Sequence, residues 1–102
     1  MKKVKITVLK KTFDTELAAQ YAHETLRPCF RFAVGQTYIT DCVKPEGFCD
    51  EAWTAVQPYV FALAHGATEV FYDDWLQKLG MAICSCNDGI RPVIFKVEAL
   101  ET

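Results

Sequence analysis

Apolar and polar residues alternate over residues 4–9 of the chain. A two-residue period is typical of a β-strand that is buried on one face and solvated on the other. Lys3 and Lys5 fall on the polar face of this predicted strand, where we expect them to mark a solvated sheet edge that resists aggregation.

Alternation returns at Cys29, where Phe30, Phe32 and Val34 share one face. Gly35 and the residue after it interrupt the pattern, and a further apolar segment covers residues 37–43. We therefore predict two short strands, which form either a hairpin or one strand with a bulge at the glycine.

Two segments have the spacing of helices. The first, "DTELAAQYAHE", is predicted to begin with Asp14 as its cap and to run to about Tyr21 or His23, with Arg27-Pro28 as the signal that ends it. The second, "CDEAWTAVQPYVFALAHG", is the main helix, with Asp50 as the predicted cap and Gly66 as the stop.

The main helix is apolar on several faces. One stripe runs along Trp53, Val56, Val60 and Leu63, and the remaining apolar positions are Ala52, Ala55, Tyr59, Phe61 and Ala64. A helix of this kind needs cover on more than one side, which predicts a homo-oligomer or a protein partner bound through it. Pro58 lies inside the helix and predicts a kink near residues 54–57 or a break into two helices.

The last part of the chain predicts a hairpin. "FYDDWLQKLG" is expected to form a turn or short helix closed by Gly80. "MAICSC" and "PVIFKVEAL" have strand patterns, and Asp88-Gly89 between them is a strong signal for a tight two-residue turn. The order of elements predicts an α+β fold, in which a mostly antiparallel sheet is packed on one side by the long helix.

Composition narrows the class of protein. The 102 residues predict one domain, 1–102, and a hydrophobic content of 51% predicts a folded globular core. The net charge of -2, without a basic patch, argues against nucleic acid as a partner. No apolar run has the length of a signal peptide or a membrane span, so we expect no membrane association and a cytoplasmic location.

Five cysteines are the main candidates for chemistry. In a reducing compartment they are more often free, metal-bound or catalytic than joined in disulfides. Cys84 and Cys86 alternate onto one strand face with α-carbons ~6.6–6.8 Å apart, a spacing that suits a shared metal ion better than a disulfide. One such pair is not a complete site, because a structural zinc or iron centre takes four ligands.

Cys49 lies just before the main helix, whose dipole favours a thiolate there, whereas Asp50 and Glu51 oppose that effect. Cysteine also packs as a small apolar residue, so each thiol has an alternative in the core. This alternative is favoured for Cys29 and Cys42 taken alone. His23 and His65 have no motif partner, and His65 fits a helix C-terminus.

The chain also carries longer motifs. They are "KVKITVLK", Cys29 followed by "VGQ", "KPEGFCDEAW", "ALAHGA" and "CNDGIRPVIFKVE". Together they resemble a family of short, uncharacterised bacterial and archaeal proteins, many of them from anaerobes. In that pattern, cysteines matching Cys29, Cys49 and Cys86 recur, and a histidine stands where this chain has Phe32. The resemblance implies a four-thiolate site of Cys29, Cys49, Cys84 and Cys86, in which Cys84 replaces the imidazole and the bound metal is zinc or iron.

The sequence is compatible with three functions. The first is a small metal-binding accessory or interaction protein. The second is a thiol enzyme or redox carrier with Cys86 or Cys49 as nucleophile, and with Asp88 and Arg91 available to polarise a substrate. The third is a binding module with an aromatic pocket built from Phe48, Trp53, Tyr59, Phe61, Phe71, Tyr72 and Trp75.

Overall fold

A computed structural model describes residues 1–101 and contains two helices and four strands. The elements, in chain order, are β1 (Val4–Lys11), α1 (Thr15–Tyr21), β2 (Thr37–Thr40), α2 (Asp50–Ala64), β3 (Met81–Ser85) and β4 (Val93–Ala99). The predicted α+β class is confirmed. No helix of the described residues has the length and hydropathy needed to cross a bilayer.

The four strands form one antiparallel sheet in the order β2-β1-β4-β3. β1 is therefore an interior strand, paired with β2 on one side and with β4 on the other. The prediction that Lys3 and Lys5 mark a sheet edge is wrong. Lys5 instead lies on the open face of the sheet, between Ile39 of β2 and Glu98 of β4.

Helix α2 covers the opposite face of the sheet and closes the core. The core residues of the two central strands are fully buried, as are four residues of the helix: Val4, Ile6, Val8, Val93, Phe95 and Val97 in the sheet, and Ala52, Val56, Val60 and Leu63 in α2. Their burial confirms the alternation predicted for β1. It also confirms the helical stripe, except that Trp53 is only partly buried.

Both ends of α2 have identifiable signals. Cys49 is the N-cap and Asp50 is the first helical residue, so the predicted cap is one residue too late. At the other end, Gly66 has a φ of 97° and donates its amide to the carbonyl oxygen of Leu63. The amide of Ala67 reaches the carbonyl oxygen of Ala62, which completes a Schellman motif and confirms the predicted stop.

The helix continues through Pro58 without interruption. The prediction of a break into two helices is therefore wrong, and a kink is not confirmed. Pro58 is solvent-exposed. Because proline has no backbone N–H, the carbonyl oxygen four residues earlier loses its helical hydrogen bond. On an exposed part of the helix, water can bond to that oxygen instead.

The segment of residues 29–36 is irregular, so the strand predicted at Cys29 is wrong. Of its three alternating apolar residues only Phe32 is buried, at 4% exposure, whereas Phe30 is 82% and Val34 is 63% exposed. The Phe32 ring meets Phe48 and Phe95 edge-on, with centroids 5.1 Å away in each case. One aromatic anchor thus holds this segment against the core.

β3 and β4 form the predicted C-terminal hairpin, but its connection is wider than a two-residue turn. Gly89 lacks the positive φ that such a turn requires. Residues 86–92 are instead organised by the Asp88 carboxylate, which accepts hydrogen bonds from the amides of Ile90 at 2.9 Å and Arg91 at 3.1 Å. The same chemistry caps α1, where Asp14 accepts the amide of Leu17 as predicted. Residues 67–80 form turns that close at Gly80.

Candidate functional site

Three cysteines line one open pocket of ≈ 390 Å³. Cys29 comes from the irregular segment before β2, Cys49 immediately precedes α2, and Cys86 immediately follows β3. The buried ring of Phe32 forms part of the wall, and the exposed ring of Phe30 lies at the rim. A pocket of this volume is at the small end of the range for small-molecule sites, about 300–1,000 Å³.

Cys86 is positioned by the last rung of the β3–β4 ladder. Its amide donates to the carbonyl oxygen of Val93 at 3.1 Å, and its Sγ accepts the amide of Val93 at 3.3 Å. The sulfur therefore takes the place that the cysteine carbonyl would hold in a regular antiparallel pair. A donated N–H stabilises developing negative charge on sulfur.

Cys29 is held in a similar way. Its Sγ accepts a hydrogen bond from the amide of Arg31 at 3.4 Å. The adjacent Phe32 fixes the segment in the core, and its carbonyl oxygen accepts the Lys11 ammonium at 3.1 Å. The backbone on both sides of Arg31 is thus tied down, although this part of the chain belongs to no regular element.

Cys49 is free at the start of α2. It occupies the N-cap position, but its side chain makes no capping hydrogen bond. The preceding Phe48 is buried at 2% exposure and packs against Phe32, which fixes the approach to the helix. The partial positive charge at the N-terminus of a helix favours an anion there. Asp50 and Glu51 in the first turn oppose it.

Arg91 forms the charged wall of the pocket. Its Nε donates to Asp88 Oδ2 at 3.0 Å, and its Nη1 donates to the carbonyl oxygen of Arg27 at 2.8 Å. Partial burial alone would raise the pKa of Asp88, but the amides of Ile90 and Arg91 and the guanidinium group together lower that pKa below its ordinary value. Asp88 is therefore an anion at neutral pH that orders the loop and orients Arg91.

Two further charged residues line the pocket, Arg31 and Glu51. Neither residue is among the site residues predicted from sequence. The available signal was their position two residues after a pocket cysteine, since Arg31 follows Cys29 and Glu51 follows Cys49. With Asp88 and Arg91 they give the pocket two positive and two negative side chains.

Cys84 does not line the pocket. Both Cys84 and Cys86 pack against the core, which agrees with the alternation, but Cys84 lies opposite the buried Phe95 of β4. Burial raises the pKa of the Cys84 thiol from 9.0 to about 12, so this thiol is neutral at physiological pH. A thiolate ligand at this position would require the core to open.

No three histidine, cysteine or acidic side chains among residues 1–101 are grouped closely enough to hold a metal ion. The four-thiolate set of Cys29, Cys49, Cys84 and Cys86 stays a prediction, as do zinc and iron. Three of its four members share the pocket.

The remaining cysteine and both histidines lie elsewhere. Cys42 has a φ of 85° and its Sγ lies 3.7 Å from the sulfur of Met1. His23 pairs with the hydroxyl of Thr25 at 2.8 Å. The Nδ1 of His65 lies 2.9 Å from the carbonyl oxygen of Phe61, at the C-terminus of α2, where the sequence placed this histidine.

The seven aromatic residues proposed for a binding pocket separate into different surroundings. Phe48 is a core residue that packs against Trp53, which agrees with the alternative of core packing. Tyr59 packs against Phe71, with ring centroids 5.5 Å apart, and Phe61 packs against His65. None of the seven lines the cysteine pocket.

Comparison with known proteins gives no relative for this chain. No protein-family model matches it, and neither a curated protein nor a solved structure is significantly similar to it. The resemblance of its motifs to a family of short bacterial and archaeal proteins stays a prediction.

Proposed function

We propose that the protein is a thiol-dependent redox carrier that reacts with a small disulfide in the cysteine pocket. The observation that carries this proposal is the presence of three free thiols, from three separate parts of the chain, on the wall of one open pocket. A single buried cysteine serves packing as well as any small apolar residue. Three that face a common opening are better suited to chemistry on a ligand.

Cys86 is the proposed nucleophile. The amide of Val93 donates to its sulfur, and Arg91 lies on the same loop with its guanidinium group at the pocket wall. Both features lie beside the sulfur at which negative charge develops during exchange with a disulfide. Cys49 is the proposed second thiol, because its side chain has no capping bond to break.

The reaction proceeds in two exchanges. The Cys86 thiolate attacks one sulfur of the substrate, forms a mixed disulfide and releases the other half as a thiolate. The Cys49 thiolate then attacks the sulfur of Cys86 and releases the second half, which leaves a Cys49–Cys86 disulfide. Two electrons pass from the protein to the substrate, and the two protons lost by the protein thiols balance the two released thiolates.

Reaction with bis(2-hydroxyethyl) disulfide tests this proposal. The reduced protein is incubated with the reagent, and intact mass and peptide mapping locate the products. We expect a Cys49–Cys86 disulfide in the native chain, a trapped mixed disulfide on Cys86 in Cys49→Ser, and loss of both in Cys86→Ser. Cys42→Ser is the matched control, because it removes a thiol outside the pocket and should react like the native chain.

Equal reactivity of all five cysteines would contradict the proposal. So would a product that joins Cys42 to a pocket cysteine, since that bond requires the pocket to be disrupted. Circular dichroism of each variant separates loss of chemistry from loss of fold.

A tri-thiolate metal site is the second candidate, and the two N–H···S hydrogen bonds favour it. The amides of Arg31 and Val93 each donate to a cysteine sulfur. Such bonds stabilise thiolates in metal sites as well as in nucleophiles. Cys29, Cys49 and Cys86 would bind zinc or iron after their side chains converge, and the opening of the pocket would leave a fourth position for an exogenous ligand.

Elemental analysis and a chelator titration distinguish the two candidates. A metal site predicts about one equivalent of zinc or iron in protein purified without oxygen, and a loss of stability when the metal is removed. Cys84→Val should retain the metal if three thiolates bind it. It should lose the metal if the four-thiolate prediction is right. Metal-free protein that still undergoes disulfide exchange supports the redox carrier.

A further inference from the structure

The edge strand β3 lacks the residue types that often protect a sheet edge. Its sequence, Met81–Ser85, contains neither a charged residue nor a proline. β3 lies at the end of the sheet, with β4 as its one neighbour there. Natural proteins commonly place lysine, proline or a bulge on such a strand, because its free backbone groups otherwise pair with another chain.

The ladder between β3 and β4 shows which backbone groups are free. The amide of Ala99 donates to the carbonyl oxygen of Gly80, and the amide of Cys86 donates to that of Val93. Hydrogen-bonded and non-hydrogen-bonded residue pairs alternate along an antiparallel ladder. Between these two hydrogen bonds, therefore, Ala82 and Cys84 point their backbone N–H and C=O groups at β4.

The N–H and C=O groups of Met81, Ile83 and Ser85 therefore point away from the sheet. Among residues 1–101 these groups have no hydrogen-bonding partner outside the strand. Their spacing of two residues is the spacing that an added antiparallel strand requires.

The strand is also complementary to itself. Suppose that the β3 strands of two copies pair antiparallel, centred on Ile83. The residues with free backbone groups in one copy then lie opposite the residues with free backbone groups in the other. Ile83 then faces Ile83 of the second copy, and Met81 faces Ser85 in two equivalent pairs. Each is a bonded pair, and no like charges are brought together, because the strand carries none.

Apolar side chains beside this edge would be covered by the same contact. Trp75 is 62% exposed and Leu79 is 64% exposed, and both lie in the segment that leads into β3. Trp75 and Met81 line one shallow surface depression. Exposed apolar side chains next to unpaired strand edges favour association.

We propose that two copies of the chain join through β3 to form one continuous eight-stranded antiparallel sheet with a two-fold axis at Ile83. This arrangement is isologous and therefore closes as a dimer. It places the interface on the sheet edge, and none of the interface residues Met81–Ser85 lines the cysteine pocket. The sequence predicts a homo-oligomer that forms through the apolar faces of α2. In this proposal the interface is formed by β3 instead.

Sedimentation and light scattering across a range of protein concentrations test the proposal. The native chain should sediment as a dimer, and Ile83→Lys should shift it to a monomer, because two lysines would then face each other across the axis. Ile39→Lys is the matched control. It introduces the same change on the same sheet face of the other edge strand, β2, and should leave the dimer intact.

Amide hydrogen exchange on the native chain gives a second measurement that needs no variant. Amides of Met81, Ile83 and Ser85 should gain protection as the dimer forms, while outward amides of β2 should not. A monomer at all concentrations, or a dimer that withstands Ile83→Lys and leaves these three amides exchanging freely, would overturn the proposal. Protection confined to α2 would likewise overturn it, because the helix would then be the interface.

Discussion

The guanidinium group of Arg91 donates a hydrogen bond across 2.8 Å to the backbone carbonyl oxygen of Arg27, which lies 64 positions earlier in the chain. The same side chain is held by Asp88 through its Nε. The contact joins the loop after Cys86 to the segment that leads into Cys29. Arg91 is thus a positioning residue for two of the three pocket thiols.

Arg91→Lys should loosen this connection while keeping the positive charge. Lysine cannot reproduce the planar fork that contacts Asp88 and Arg27 together. We expect a loss of about 0.5–1.5 kcal/mol in the free energy of unfolding and faster amide exchange over residues 27–31. Arg27→Lys is the control, because it retains the carbonyl oxygen that accepts the bond. Similar exchange in both variants would argue against the positioning role.

Phe32 and Phe30 are a matched pair of rings on the same short segment. Phe32 is 4% exposed and contacts two core aromatics, whereas Phe30 is 82% exposed. Urea denaturation should show that Phe32→Ala costs about 3–5 kcal/mol. Phe30→Ala should change the free energy of unfolding by about 0.5 kcal/mol or less. Comparable losses from the two variants would mean that the segment packs differently.

Gly66 and Gly89 both lie in turns that the sequence predicts, but the structure confirms only the one at Gly66. Gly66 has a φ of 97° in the Schellman motif after α2, whereas Gly89 lacks a positive φ and has open space around its α-carbon. Gly66→Ala should lower the free energy of unfolding by about 1–2 kcal/mol, because a side chain is strained in that conformation. Gly89→Ala should leave the free energy of unfolding nearly unchanged. A large loss of stability in this variant would instead support the tight two-residue turn predicted from sequence. Thermal unfolding of both variants in one buffer measures the difference.

The regular elements could be predicted from sequence because their signals are local. The alternation of Val4, Ile6 and Val8 reports one buried strand face, and the spacing of Val56, Val60 and Leu63 reports one buried helix face. The glycine that ends α2 and the aspartate that caps α1 act within a few residues of the positions they determine.

The irregular segment before β2 could not be predicted in this way. Phe30, Phe32 and Val34 have the alternation of a strand, but only Phe32 is buried, because Phe48 and Phe95 form the site into which it fits. Those partners lie far away in sequence. The pattern therefore carries no information about which ring the core will accept.

The candidate site was predicted in part for the same reason. Alternation correctly predicts that Cys84 of β3 and Cys86 just after it lie on the same side of the sheet, yet it cannot say how far α2 extends over that side. Cys84 is buried against the core, whereas Cys86 lines the pocket together with Cys49 and Ala52 at the start of α2. How deeply a side chain is covered by a neighbouring helix depends on tertiary structure. This difference in burial distinguishes the Cys84 thiol from the Cys86 thiol.

The burial of Cys84 predicts a loss of stability in alkaline solution. The pKa of this thiol is about 12 in the folded protein against an ordinary value of 9.0, because burial disfavours the thiolate. Between these two pH values the unfolded chain releases the proton while the folded chain keeps it. The unfolded state therefore binds fewer protons, and stability falls as the pH rises.

Cys84→Val isolates this effect, since valine fills a similar volume without a titrating group. From neutral pH to about pH 11, denaturant unfolding should show the native chain losing stability relative to the variant, with a slope that approaches about 1.4 kcal/mol per pH unit above the unfolded pKa. The difference between the two proteins should be constant below that pKa. A difference that stays constant across the whole range would mean that Cys84 ionises as easily in the folded protein as in the unfolded chain, and that α2 does not shield it from solvent.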